Sequence, residues 1–205
     1  VELALGFSLV WAGPGIKTFT ATSNRPVLEG EPTLFEIWVC ADGYWCDVGS
    51  IPDYIISTAD YLEGQVNVSR MGRETEPGSR IWVEDEVEIA RDAQITGPVY
   101  IGPGVKIKSG AVVRGPAVIR DFSIIDSRAT IDRAIIWRNC YVGERAEVRG
   151  AILQTQVNVK PQAMIFEGAV VGDKTIVGDG AVVEGTLDRC VVWDGAYVAS
   201  GEHLS

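Results

Sequence analysis

Side chains that could do chemistry are few and scattered in this 205-residue sequence. His203 is the single histidine and lies next to the carboxyl end, so no three-histidine zinc site and no histidine base within the body of the chain are available. The four cysteines, at positions 40, 46, 140 and 190, form no C-x-x-C pair and indicate a reduced, cytoplasmic protein. Gly102–Gly104 and Gly178–Gly180 are glycine-rich like phosphate loops, but no helix start follows either. We therefore expect ordinary turns there, and a solvated tail residue at His203.

Net charge and the length of the apolar runs argue against two classes of partner, nucleic acid and membrane. The net charge of −10 argues against nucleic acid, whose binding draws on clustered Lys and Arg. No run reaches 18 apolar residues, so no membrane span is expected. The opening segment VELALGFSLVWAG has no basic residue ahead of its apolar run, unlike a secretory signal.

A period of six organises most of the chain. Nine positions spaced six apart, from Val83 to Ile131, are all Val or Ile, and a small or β-branched residue follows each of them four positions later. The run resumes at Leu153 and continues to Val183, and we interpret the break at 132–152 as small insertions. This period fits neither a helix stripe nor strand alternation. It predicts a mainly β fold, a parallel β-helix in which each coil buries its apolar side chains against its neighbours.

A helix signal precedes the repeat, with Ser50 as cap, Pro52 in the first turn and Gly64 as stop. Immediately before it stands Gly43-Tyr44-Trp45-Cys46-Asp47-Val48-Gly49. This stretch, with the following Pro52 and Tyr54, resembles the end of the catalytic domain of sugar-phosphate nucleotidyltransferases, in particular those that are mannose-1-phosphate guanylyltransferase-like. In that family the motif directly precedes a left-handed β-helix of hexapeptide repeats, and the order of the two elements is the same here.

The resemblance covers about residues 41–200 and implies three segments. Residues 1–64 would be a remnant, or stub, of an α/β nucleotidyltransferase domain, with a helix at about 52–63 that caps the open end of the β-helix. Residues 65–82 would be a connector, and residues 83–205 a left-handed parallel β-helix with three-sided coils. The handedness and the three sides are implied by the resemblance and not by the spacing.

The resemblance also implies one metal ligand. The Asp of this motif, here Asp47, helps the family hold the Mg²⁺ that bridges nucleotide and sugar phosphates. A usable Mg²⁺ site needs further carboxylates or phosphates, and the family's G-x-G-T-R-L nucleotide loop does not occur in this sequence. We therefore predict Mg²⁺ as the cofactor of intact relatives, and no catalytic residue and no bound cofactor in this chain alone.

Three functional hypotheses follow. The first is the carboxyl-terminal β-helix region of a mannose-1-phosphate guanylyltransferase-like protein, which acts in assembly and support for nucleotide-sugar biosynthesis and is inactive alone. The second is a non-catalytic structural or regulatory subunit of the same family, as in a translation-initiation nucleotide-exchange factor. The third is a hexapeptide acyltransferase, which would need a histidine from the coils.

Large aromatic side chains are the candidates for a protein interface. Residues 131–137 and 187–193 match each other, and each segment is followed by a Tyr and a Val. We expect the two segments to lie on the same side of the β-helix, three coils apart. Trp137, Tyr141, Trp193 and Tyr197 are then interface candidates, because aromatic residues are enriched in protein contacts. The expected partner is a second copy of the chain or a companion nucleotidyltransferase subunit.

Overall fold

The computed structural model describes the backbone of Ile16–Thr20 and Glu36–Cys40, the single residues Tyr44, Cys46 and Val48, and residues 51–66 and 71–205. The first two segments are strands β1 (Ile16–Thr20) and β2 (Glu36–Cys40), which pair antiparallel. Helix α1 spans Ile51–Glu63. The predicted metal ligand Asp47 and most of residues 1–50, which make up the larger part of the predicted remnant at 1–64, lie outside the described residues.

From Ile81 onward the chain winds through seven three-sided coils of parallel β-strands, and an eighth coil begins near the end. The short strand β3 (Arg73–Glu74) pairs antiparallel with the first of them. The first face consists of β4 (Ile81–Val83), β7 (Val99–Ile101), β10 (Ala117–Ile119), β13 (Ile135–Ile136), β16 (Ile152–Leu153), β19 (Val170–Val171), β22 (Thr186–Leu187) and β25 (His203–Leu204). The second face consists of β5 (Glu88–Ile89), β8 (Lys106–Ile107), β11 (Ile124–Ile125), β14 (Tyr141–Val142), β17 (Asn158–Val159), β20 (Ile176–Val177) and β23 (Val191–Val192). The third face consists of β6 (Gln94–Thr96), β9 (Val112–Arg114), β12 (Thr130–Asp132), β15 (Glu147–Arg149), β18 (Met164–Ile165), β21 (Val182–Val183) and β24 (Tyr197–Val198).

The residues of the six-residue run fill the interior, as predicted. From Ile101 to Ile131 each of them is at most 2% exposed. The first coil is the exception, because no coil stacks on its outer side, and Ile89 remains 39% exposed. Parallel strands with short corners put one aliphatic side chain per face into each coil, so a six-residue spacing is what a three-sided coil requires.

The interpretation of residues 132–152 as an insertion is wrong. The interior row continues through Ile136, Val142 and Val148, which are fully buried. The phase shifts because the corner between the third and first faces is one residue shorter in two successive coils, where Arg133 and then Gly150 alone replace the pair Gly115–Pro116. Arg133 adopts a left-handed backbone conformation with a φ of 49°, which turns the chain in fewer residues.

The two matching aromatic segments do not lie on the same side. Ile131 belongs to the third face and Leu187 to the first. Trp137 accordingly stands at the edge between the first and second faces, and Trp193 at the edge between the second and third. The prediction failed because the later coils are unequal, as the register pairs Asn158 with Ile176 and Ile176 with Val191 show.

Helix α1 lies along the outside of the first face and not over the end of the β-helix. Its carboxyl-terminal Leu62 packs with Trp82 and Tyr100 of the first two coils. Its first turn reaches the fourth coil, where the rings of Tyr54 and Trp137 are 6.5 Å apart. These two contacts show that the helix runs antiparallel to the progress of the coils. It covers the outward row of this face, which is apolar.

The carboxyl end is more ordered than the sequence suggests. His203 and Leu204 form β25, which extends the first face by pairing with Thr186 and Leu187. His203 therefore occupies a coil position, although its side chain is exposed as expected. Among the described residues no helix is long and apolar enough to cross a membrane.

Candidate functional site

The best-defined element beside the coils is the junction between the G-Y-W-C-D-V-G motif and the β-helix. Tyr44 of the motif donates a hydrogen bond of 2.8 Å from its hydroxyl to Oδ2 of Asp60 in α1. Burial and this hydrogen bond raise the pKa of Tyr44. Two residues further along the same helix, the side chain of Leu62 is 1% exposed between the helix and the first face. The motif is thus tied to α1, and α1 to the coils.

The amino-terminal end of α1 meets a cluster of aromatic and charged residues at the edge between the first and second faces. Tyr54 contacts Trp137, and Arg120 lies close enough to favour the ionised form of the Tyr54 hydroxyl. Burial outweighs that effect, and the pKa of Tyr54 is raised. Asp121 accepts ion pairs from Arg120 at 3.4 Å and from Arg138 at 3.0 Å. Trp137 therefore packs against α1 of the same chain. Its role in an interface with another chain stays a prediction.

A groove of about 550 Å³ remains between α1 and the coils. Its walls are mainly aliphatic, with Ile55, Ile56 and Ala59 on the helix and Ile135 and Val170 on the first face. No catalytic pair of titratable groups lines it, and the charged residues at its rim, Arg133 and Glu167, are exposed. With this lining, we interpret the groove as a gap in the packing between the helix and the coils and not as a reaction site.

The predicted chemical residues do not come together in the described part of the chain. The metal candidate Asp47 lies outside the described residues. No group of three His, Cys, Asp or Glu residues there is placed to hold a metal ion. Burial raises the pKa of the Cys140 thiol to about 12, which keeps it protonated at neutral pH.

The two glycine-rich pairs are corner residues. Gly104 has a φ of 65°, and a Cβ there would meet the ring of Phe122 in the next coil. At Gly178 the backbone of Asp194 approaches so closely that a side chain would not fit. Close stacking between coils therefore accounts for both pairs.

Tyr141 is half-buried on the second face and belongs to a polar trio. Its hydroxyl donates a 2.6 Å hydrogen bond to Asp126 Oδ2, and Lys108 Nζ lies 3.1 Å from Oδ1 of the same carboxylate. The hydrogen bond and burial raise the pKa of Tyr141 to about 12. Burial opposes the ionisation of Asp126, yet the hydrogen bonds from Tyr141, the Ser127 N–H and Lys108 leave its pKa below the usual value.

The last complete coil carries the most exposed aromatic residues of the described chain. Trp193 is 80% exposed, Tyr197 61% and Val191 58%. The Tyr197 hydroxyl donates to Glu184 at 2.8 Å, and Asp194 follows Trp193 directly. This surface is apolar at its centre and acidic at its border, a composition that suits a protein contact better than a reaction site.

Sequence reasoning missed the covered first face. Its outward residues Ile135 and Ile152 are each 3% exposed beside α1 and the neighbouring coils. The signal was present as aliphatic doublets, in which the residue before the inward one is also apolar: Val118-Ile119, Ile135-Ile136, Ile152-Leu153 and Val170-Val171. An apolar outward row favours burial on both sides of the strand, and on this face α1 supplies the cover.

The fold defines a class, the left-handed β-helix proteins with hexapeptide repeats. A sequence model described as the EIF2B subunit epsilon LbH domain, where LbH stands for left-handed β-helix, matches residues 78–183. This match covers just over half of the chain, and the chain belongs to this family. No curated protein sequence matches it.

Among the solved structures of similar fold are an N-acetyltransferase and an N-acyltransferase. A GDP-perosamine N-acetyltransferase from Caulobacter crescentus, in complex with CoA and GDP-perosamine, is 25% identical with a TM-score of 0.51, over 52% of this chain and 52% of that chain. An N-acyltransferase from Bacillus cereus, in complex with dTDP-4-amino-4,6-dideoxyglucose and coenzyme A, is 20% identical with a TM-score of 0.52, over 58% of this chain and 83% of that one. The chain thus spans about half the length of the perosamine N-acetyltransferase. The likeness to the N-acyltransferase, at 20% identity, concerns the fold alone.

Proposed function

We propose that this chain is the β-helical carboxyl-terminal region of a mannose-1-phosphate guanylyltransferase-like protein and acts in assembly and support. The observation that carries the proposal is the junction at α1. Tyr44 of the G-Y-W-C-D-V-G motif is bonded to Asp60, and Leu62 of the same helix is buried against the first face. A domain ending in this motif would be held at a fixed orientation to the coils.

The described residues favour support over chemistry. They bring no nucleophile and base together, and their lone histidine is exposed on the eighth coil. Exposed aromatic residues instead gather on the last complete coil. In an intact relative Asp47 would contribute to Mg²⁺ binding only together with further oxygen ligands.

The test is an assay of pyrophosphate release by the purified chain with GTP, Mg²⁺ and mannose 1-phosphate. The expected result is no turnover, measured beside an intact mannose-1-phosphate guanylyltransferase as the positive control. Turnover by the chain alone would overturn the proposal.

A second candidate is a non-catalytic subunit of the same family. The match to a domain of a named subunit, EIF2B epsilon, favours it. The two candidates differ in their effect on an intact guanylyltransferase. A regulatory subunit added to that enzyme would change its turnover, whereas a region that only supports its own chain would leave it unchanged.

The hexapeptide acyltransferase is the third candidate, favoured by the likeness to the perosamine N-acetyltransferase at 25% identity. Calorimetric titration with coenzyme A tests it. We expect no binding, because the described coils offer no histidine beside which an amino sugar could be acylated.

A further inference from the structure

The outward row of the third face is apolar over the last three coils, and no described helix lies against it. Met164, Val182 and Tyr197 follow one another in register through the fifth, sixth and seventh coils. Trp193 stands at the border with the second face, and its side chain is 80% exposed. Helix α1 packs on the first face instead. We call these four residues the third-face patch, an exposed apolar surface of the kind that marks protein contacts.

Both borders of the third-face patch are acidic. The residues that carry the charge are Asp179 and Asp194 at the border with the second face, and Glu167, Glu184 and Glu202 at the border with the first. Lys160 in the fifth coil is the single Lys or Arg at these borders. None of the five carboxylates belongs to an ion pair among the described residues. The patch therefore lacks cations, which a partner can supply.

Hydrogen bonds hold three of these carboxylates beside the patch. Asp194 Oδ1 accepts a bond of 2.8 Å from the backbone N–H of Asp179, and Glu202 Oε2 accepts one of 2.8 Å from the N–H of Ala199. Glu184 Oε2 accepts a bond of 2.8 Å from the hydroxyl of Tyr197. The pKa of Tyr197 is raised, first by this hydrogen bond and also by the charges of Glu184 and Glu202. Each carboxylate keeps a second oxygen that can accept from a partner.

The surroundings of Trp193 leave room for a cation. Gly180 and Gly195 follow the two aspartates directly, and no surrounding atom lies within 4 Å of the position that a Cβ would take at either glycine. The space beside Asp179 and Asp194 is therefore open. A guanidinium that enters it can stack on the indole of Trp193 while its N–H groups donate to the carboxylates.

We propose that the third-face patch binds a cationic segment of a companion protein, in which arginines flank a few apolar residues. The inference rests on the proposed role in assembly and names the chemistry of the partner. The face is about three residues wide, or about 10 Å, a width that three apolar residues of an extended segment also span. Their side chains would cover Val182 and Tyr197, and the flanking arginines would reach Asp194 on one border and Glu184 on the other.

The charges select against a second copy of the same patch as the partner. Because both borders are acidic, two patches placed face to face bring carboxylates together in either orientation, which is disfavoured. Contact between two copies of the chain would therefore use another part of the surface. The companion protein must bring positive charge on both sides of an apolar centre.

The first test compares three peptides with the native full chain by isothermal titration calorimetry. The probe is Arg-Arg-Leu-Val-Leu-Arg-Arg, and its two matched peptides carry Ser in place of the apolar residues or Glu in place of the arginines. We expect the probe to bind at least about tenfold more tightly than the serine peptide, and the glutamate peptide not to bind. The serine peptide measures the unspecific attraction of cations to a chain with a net charge of −10.

The second test places the probe on the third face. Asp179→Lys should weaken its binding about three- to tenfold. Asp85→Lys makes the same change in net charge at an exposed corner residue of the first coil, between the first and second faces, and should change binding less than about twofold. Trp193→Ala should weaken binding about tenfold, whereas Phe122→Ala, which removes another exposed ring at the edge between the first and second faces, should not. Circular dichroism confirms that each variant is folded.

Three results would overturn the proposal. They are no binding of the probe to the native chain, equal binding of the probe and the serine peptide, and equal effects of Asp179→Lys and Asp85→Lys. These outcomes are separate from failure of the proposed function, which shows as turnover of GTP and mannose 1-phosphate. A chain that neither binds the probe nor turns over these substrates would refute the binding surface and leave the supporting role.

Discussion

Val112 and Val113 provide a direct test of which side of the strand faces the interior. They are adjacent in β9, and Val113 is fully buried between coils whereas Val112 is half-buried on the outer surface of the third face. Val113→Ala removes two methyl groups from the core, worth about 1.6 kcal/mol of transfer free energy. The cavity left behind adds about 1 kcal/mol. The free energy of unfolding should therefore fall by about 2–3 kcal/mol.

Val112→Ala is the matched control, with the same chemistry one position away. Its outer side already faces water and no closed cavity forms, so the loss should stay below about 1 kcal/mol. Urea titration followed by far-ultraviolet circular dichroism measures both variants against the native chain. Equal losses, or a larger loss for Val112→Ala, would refute the assignment of the inward row on which the whole fold rests.

Three further predictions concern the helix, a corner and an ionisable pair. Leu62→Ala should lower the free energy of unfolding by about 2–5 kcal/mol and release α1 from the first face. Limited proteolysis would then cut within the helix faster than in the native chain, and an unchanged cleavage rate would contradict the docking of α1. Gly143→Ala should destabilise the fold more than Gly180→Ala, because a Cβ at Gly143 would lie 2.7 Å from the backbone nitrogen of Pro161, whereas at Gly180 no surrounding atom is within 4 Å and only the φ of 61° opposes a side chain; equal urea midpoints would refute this. The pKa of Tyr141 is raised from 10.0 to about 12, so its hydrogen bond to Asp126 stabilises the fold below pH 10 and is lost as the pH rises through about 12. Tyr141→Phe should therefore flatten the decline of the free energy of unfolding at alkaline pH. An unchanged slope would contradict this role of the hydrogen bond.

The repeat made the architecture predictable, because a six-residue spacing leaves few alternatives. Inward positions such as Ile107 and Ile119 follow from the spacing alone, since a coil of three short strands needs one aliphatic residue per face. The helix at 52–63 was predictable from its cap, proline and stop signals, and the structure places it at Ile51–Glu63. The family to which the chain belongs fits the predicted left-handed β-helix.

The position of α1 and the sides of the aromatic segments were not predictable from the spacing. One-residue shortenings at Arg133 and again at Gly150 shift the later residues around the β-helix, and the hydrogen-bonded register reveals them. The helix covers the first face, where the doublets Ile135-Ile136 and Val170-Val171 make the outward row apolar. That signal is spread over 18-residue coils and does not appear in any local window.

The central claim is that this chain contributes a surface for assembly through its β-helix. Light scattering of the purified native chain over a range of concentrations tests it most directly. We predict a species of twice the 22.1 kDa chain mass that dissociates on dilution. A species of 22.1 kDa at every concentration would contradict the claim that the chain assembles with itself.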